Sequence, residues 1–142
     1  MVKDTPKMKT ARCSVRCVVA MSVNITYSEA DIQETVIKYC DINKIPVYHI
    51  PNEGKRDVVS GARLKRIGLR KGVPDLCIPL PKGRYHGLYI ELKTAKGKVT
   101  PDQIEWLKLL KSNGYATAIT YGVDEAITVI KQYISIKEEH YE

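Results

Sequence analysis

A chain of 142 residues with a net charge of +7 has room for one domain with a substantial core. Its apolar fraction of 44% and charged fraction of 27% suit a globular protein in water, and no stretch approaches the ~20 apolar residues of a membrane span. The basic balance favours a polyanionic partner over an acidic surface.

Residues 1–25 carry Lys3, Lys7, Lys9, Arg12 and Arg16 against Asp4 and show no periodicity. They read as a basic, disordered extension ahead of a domain at 26–142. The apolar run Cys17–Met21 falls short of the roughly 7–15 residues of a signal-peptide core, so a cytoplasmic protein is expected. Cysteine usage agrees. Cys40 and Cys77 sit within apolar patterns as small core residues, and Cys13 and Cys17 have no second Cys/His pair with which to form a zinc site.

The body opens with a helix. Ser28 is a good N-cap, Glu29 and Asp31 suit the first turn, and Ile32, Val36, Ile37 and Cys40 make an apolar stripe. Ile45–Ile50 reads as a strand with Pro46 at its start. Residues 51–72 lack periodicity and contain four glycines, the pattern of a long functional loop. Lys55, Arg56, Arg63, Lys65, Arg66, Arg70 and Lys71 cluster within residues 55–71, with only Asp57 opposing them. Such a cluster should meet phosphates and make binding salt-dependent.

Two strands follow, Leu76–Leu80 and Tyr85–Lys93, joined by a hairpin turn at Pro81–Arg84. In the second, Leu88, Ile90 and Leu92 alternate with Tyr89, Glu91 and Lys93, so Glu91 and Lys93 share a face about 7 Å apart. The hairpin brings Asp75 near the Glu91 end of its partner. Two acids and a lysine so placed can hold a divalent cation beside a phosphate and help to activate a water. Mg²⁺ suits such a site, because it keeps several waters and needs only one or two carboxylates.

Thr100, Pro101 and Gln103 form a capping box with proline at N1, opening a helix that carries Ile104, Trp106, Leu107 and Leu110 and stops at Gly114. Tyr115–Tyr121 is a strand. Asp124 caps a last helix whose inward residues are Ala126, Ile127, Ile130, Tyr133 and Ile134. The order α-β-β-β-α-β-α, with a helix before the last strand, predicts an α/β fold with a mixed central sheet flanked by helices.

Over residues 26–135 this arrangement resembles the restriction-endonuclease-like fold, whose αβββαβ core carries a PD-(D/E)xK signature. The signature here is Pro74-Asp75, then Glu91-Leu92-Lys93. Within that superfamily it is similar to the virus-type replication-repair nuclease (VRR-NUC) domain. The resemblance is carried by Ser28-Glu29, Asn52-Glu53-Gly54, Gly72-Val73-Pro74-Asp75-Leu76, Glu91-Leu92-Lys93 and Gly97-Lys98-Val99-Thr100-Pro101-Asp102-Gln103. A bare Asp…Glu-x-Lys match is weak; the ordered set is specific.

The resemblance implies a Mg²⁺-dependent deoxyribonuclease, with Mn²⁺ as substitute. It implies a branched-DNA substrate, as for Holliday-junction resolvases, and a homodimer like the small stand-alone members, which often come from phages. It makes Asp75 and Glu91 metal ligands, adds the backbone carbonyl of Leu92, and assigns Lys93 to the attacking water or the developing charge. Glu29 matches an acid of the first helix and either binds metal or serves the helix dipole. Gln103 matches a glutamine beside the catalytic site and is either that or only a cap. Asn52 matches a polar residue near the cleft and is equally a turn former. The alternative is a catalytically silent DNA-binding module with the same fold.

Overall fold

The computed structural model describes residues 26–51 and 58–137, and of residues 58–60 the backbone alone. The N-terminal extension, Cys13, Cys17, Asn52, Lys55 and Arg56 lie outside the described residues.

The elements are α1 (Glu29–Ile42), β1 (Tyr48–His49), α2 (Val58–Arg66), β2 (Leu76–Ile78), β3 (Leu88–Lys93), α3 (Pro101–Ser112), β4 (Ala116–Tyr121) and α4 (Val123–Ile134). The four strands form one sheet in the order β1-β2-β3-β4. β1–β2 and β2–β3 pair antiparallel and β3–β4 pair parallel, so the sheet is mixed, as expected. The tight turn between β2 and β3 is closed by reciprocal backbone hydrogen bonds between Lys82 and Tyr85, of 3.0 and 2.9 Å.

Side-chain alternation divides the sheet into two faces. Leu76, Ile78, Leu88, Ile90 and Leu92 form a core with Ile32, Val36 and Cys40 of α1 and Ala126, Ile130 and Tyr133 of α4. Tyr133 reaches further, donating its hydroxyl to the Leu80 carbonyl at 2.6 Å. The opposite face carries Cys77, Tyr89, Glu91 and Lys93, and α3 covers its β3–β4 half. Cys77 is buried, but it faces the tyrosine side of the sheet rather than the aliphatic core.

Local chemistry explains the helix ends. Ser28 accepts from the Asp31 N–H while Asp31 accepts from the Ser28 N–H, a capping box for α1. Thr100 and Gln103 do the same for α3. Gly114 follows the α3 C-cap with φ +84, the left-handed geometry that glycine supplies.

Two expectations fail. Residues 51–72 are not one continuous loop: α2 lies within them, with Arg63, Lys65 and Arg66 in its last turn. α4 is not capped by Asp124. Its N-cap is Gly122, which provides no side-chain bond, and Asp124 sits in the first turn. Glu125 instead accepts from the Tyr121 N–H at 2.9 Å.

Candidate active site

The β2–β3 register fixes the centre of the site. Leu76 pairs with Ile90, so the next residues along, Asp75 and Glu91, lie opposite one another at the end of the ladder. The Asp75 carboxylate accepts the Leu92 N–H at 2.8 Å. One more step places Pro74 opposite Leu92. Proline has no N–H to give to the Leu92 carbonyl, so the ladder stops there. β3 bonds to β4 through its odd-numbered residues, as at Gly87 and Lys93, which turns the backbone groups of Leu92 towards the Asp75 side.

The backbone of Asp75 is held as well. Its carbonyl accepts the Ile50 N–H at 2.8 Å and lies 3.0 Å from His49 Nδ1, so that nitrogen must carry the proton. This role of His49 is invisible in the sequence, where nothing says which strand residue faces the carbonyl.

Glu91 and Lys93 are both buried, at 1% and 4% exposure. Lys93 Nζ lies 2.7 Å from Glu91 Oε1 and 3.6 Å from Glu29 Oε1, so α1 delivers its first residue to the site. Gln103 also donates to Glu91 Oε1 through Nε2. Its own Oε1 accepts the Thr100 N–H at 2.8 Å, which fixes the amide orientation. Cap and site residue are therefore one role for Gln103. Two donors crowd Glu91 Oε1, while Oε2 is buried with no hydrogen-bond partner among the described residues. Such an oxygen has the chemistry to take a hard cation.

Electrostatics follow from this crowding. Burial pushes the Glu91 carboxyl up to about 7; the Asp75 and Glu29 charges add to it and Lys93 opposes it. Burial works to lower Lys93, but its hydrogen bond to Glu91 and the charges of Glu91, Glu29 and Asp75 prevail and raise it. Lys93 is thus held as a cation, which suits charge stabilisation and orientation of a water better than general-base work. Among the described residues no three His, Cys, Asp or Glu side chains converge as an all-protein cage. Mg²⁺ does not require one.

Of the other predicted residues, Arg63, Lys65 and Arg66 are exposed on α2. Arg70 folds its guanidinium onto the Lys65 and Leu69 carbonyls, at 3.1 and 3.2 Å. Lys71 pairs with Asp102 of α3 at 2.7 Å. Glu34 of α1 pairs with Lys38 at the surface.

Two glycines of the site show their purpose only in three dimensions. A Cβ on Gly72, at φ +84, would lie 2.6 Å from the Asp102 backbone carbon, so the loop into Asp75 is seated directly on the α3 N-terminus. A Cβ on Gly97 would press on Lys93.

Comparison with known proteins agrees with this fold. A solved structure described as "VRR_NUC domain protein" is 30% identical and superposes with a TM-score of 0.69, covering 79% of this chain and 92% of its own. The comparison with curated proteins gives no match. The profile of the VRR-NUC domain matches residues 28–124, which run from the N-cap of α1 through β4 to the first turn of α4, and the chain belongs to the VRR-NUC family of nuclease-type domains.

Proposed function

We propose that the protein is a divalent-metal-dependent DNA endonuclease of the PD-(D/E)xK type. The carrying observation is the buried Glu91 Oε2, unpartnered among the described residues, at the end of a ladder shared with Asp75. Asp75, Glu91 and the Leu92 carbonyl would hold Mg²⁺ or Mn²⁺, with Glu29 within reach of the same cluster. When bound, the ion would supply positive charge beside the scissile phosphate.

The chain's own residues then have defined tasks. Lys93 stays protonated and donates to the attacking water or to a non-bridging phosphate oxygen. Gln103 and Lys93 hold Glu91 by one oxygen, and the other has no hydrogen-bond partner among the described residues. The water oxygen forms a bond to phosphorus as the bond to the leaving oxygen breaks. The water's proton passes to solvent, and the leaving oxygen takes one up.

Arg63, Lys65 and Arg66 present positive charge from α2, directly before the loop that delivers Asp75. Neutralising phosphates there would place the backbone of a duplex or branched DNA over the site. Branched DNA is the proposed substrate and a homodimer the proposed form, since two-fold symmetry sets two sites on opposed strands of a junction.

The test is a cleavage panel of labelled junction, flap, nicked and linear DNA with Mg²⁺, Mn²⁺ or EDTA. Metal-dependent cutting, strongest on branched DNA, is expected. Binding without nicks on any substrate would establish instead the catalytically silent module.

A further inference from the structure

We propose that Gly97 is a positioning residue for Lys93: its missing side chain lets the turn after β3 lie against the lysine stem and hold the ammonium on Glu91. What Lys93 does there rests on the nuclease reading; the contact itself does not.

β3 ends at Lys93, whose carbonyl accepts the Gly122 N–H at 2.9 Å. The chain then turns back through Thr94, Ala95 and Lys96, and the Gly97 N–H donates to the Thr94 carbonyl at 2.9 Å. This closure lays Gly97 over the residue that has just left the strand. A Cβ on Gly97 would sit 3.1 Å from Lys93 Cδ, 3.2 Å from Lys93 Cβ and 3.2 Å from the Thr94 nitrogen. Ordinary carbon contacts lie near 3.5–4.0 Å, at roughly the van der Waals optimum. Either the turn must lift or the stem must move.

Backbone conformation does not explain this glycine. Gly68, Gly72, Gly83, Gly114 and Gly122 adopt positive φ, and Gly97 does not. Space is the remaining reason. The space matters because lysine is a long chain whose head must stay in one place. Its Nζ is 2.7 Å from Glu91 Oε1, and its stem is almost fully enclosed. The turn is one wall of that enclosure. Moving it by a few tenths of an ångström would stretch the 2.7 Å contact with Glu91 and displace the ammonium from its present position.

The experiment compares Gly97→Ala, Gly97→Val and, as a control in the same turn, Ala95→Gly. Single-turnover cleavage at saturating Mg²⁺ should show kcat lowered about tenfold in the alanine variant and about a hundredfold in the valine variant, with KM for DNA unchanged. The control should keep the wild-type kcat. In protein carrying ¹³C-labelled lysine, the Lys93 ε-methylene signal should shift in Gly97→Ala and stay in place in Ala95→Gly, with neither metal nor DNA present. A wild-type kcat with an unmoved Lys93 signal in Gly97→Ala would overturn the proposal. So would an equal loss in the control, or a loss confined to KM. If the wild-type protein cuts no DNA, the nuclease reading falls, and the lysine signal still decides the role of Gly97.

Discussion

Gln103 and Glu91 are joined by a buried hydrogen bond from the amide of α3 to the carboxylate of β3. Because the same amide closes the capping box with Thr100, the helix that covers the site is started by the group that orients its acid. Gln103→Ala should therefore lower thermal stability by about 1 kcal/mol, the usual worth of a cap, and also lower kcat. Gln103→Glu keeps a capping acceptor but sets a second carboxylate against Glu91, so it should lose more activity than stability. Calorimetry together with single-turnover cleavage separates the two effects.

The three central side chains should fail in the same way. Asp75→Asn, Glu91→Gln and Lys93→Ala are each expected to abolish cleavage while leaving DNA binding in place, measured by gel shift beside a cleavage assay. Any one of them cutting at the wild-type rate with Mg²⁺ would remove that residue from the proposed machinery.

The pH dependence of metal-free stability has a definite sign. Burial holds the Glu91 carboxyl up to about 7, above the ordinary value of 4.5, so the folded state binds the proton more tightly than the unfolded state. Its contribution favours folding at low pH and is lost as pH rises from about 4.5 through about 7. In EDTA the melting temperature should fall across this window, and Glu91→Gln should flatten the fall. A Glu91→Gln profile parallel to that of the wild type would contradict the assignment.

Gly72 and the Lys71–Asp102 pair occupy one junction and should behave differently. The ion pair is largely exposed and screened by solvent, so breaking it with Lys71→Ala should leave stability nearly unchanged. Gly72→Ala forces a side chain into a left-handed backbone and against the Asp102 main chain, and should cost about 1–3 kcal/mol or more. Urea denaturation of the two variants gives the comparison.

Electrostatic binding should be read from salt dependence. Replacing Arg63, Lys65 and Arg66 together by alanine should reduce the slope of log K against log salt by roughly three, about 0.9 for each phosphate no longer neutralised. An unchanged slope would place the DNA elsewhere.

Much of the site is legible in the sequence, because alternation and capping are local rules. Leu88, Ile90 and Leu92 against Glu91 and Lys93 identify the two faces of β3, and Thr100 with Gln103 marks the start of α3. α2 is not legible. Gly61, a poor helix former, lies inside it, basic residues crowd its last turn, and none of its described side chains is fully buried. Nor could Asp124 be told from Gly122 as the start of α4, since a strand runs almost directly into that helix. The roles of His49, Gly72 and Gly97 depend on contacts between segments distant in the chain or on a turn folding back, which no residue pattern records. The burial of both Glu91 and Lys93 on the face that α3 covers, with Glu29 of α1 beside Lys93, is tertiary in the same sense.

The most direct measurement is the anomalous scattering of a crystal soaked in Mn²⁺. The predicted result is a peak about 2.0–2.2 Å from the Asp75 carboxylate and Glu91 Oε2, with the Leu92 carbonyl as a further oxygen ligand. A Mn²⁺ peak bound elsewhere, with Glu91 Oε2 still lacking a partner, would contradict the proposed metal site.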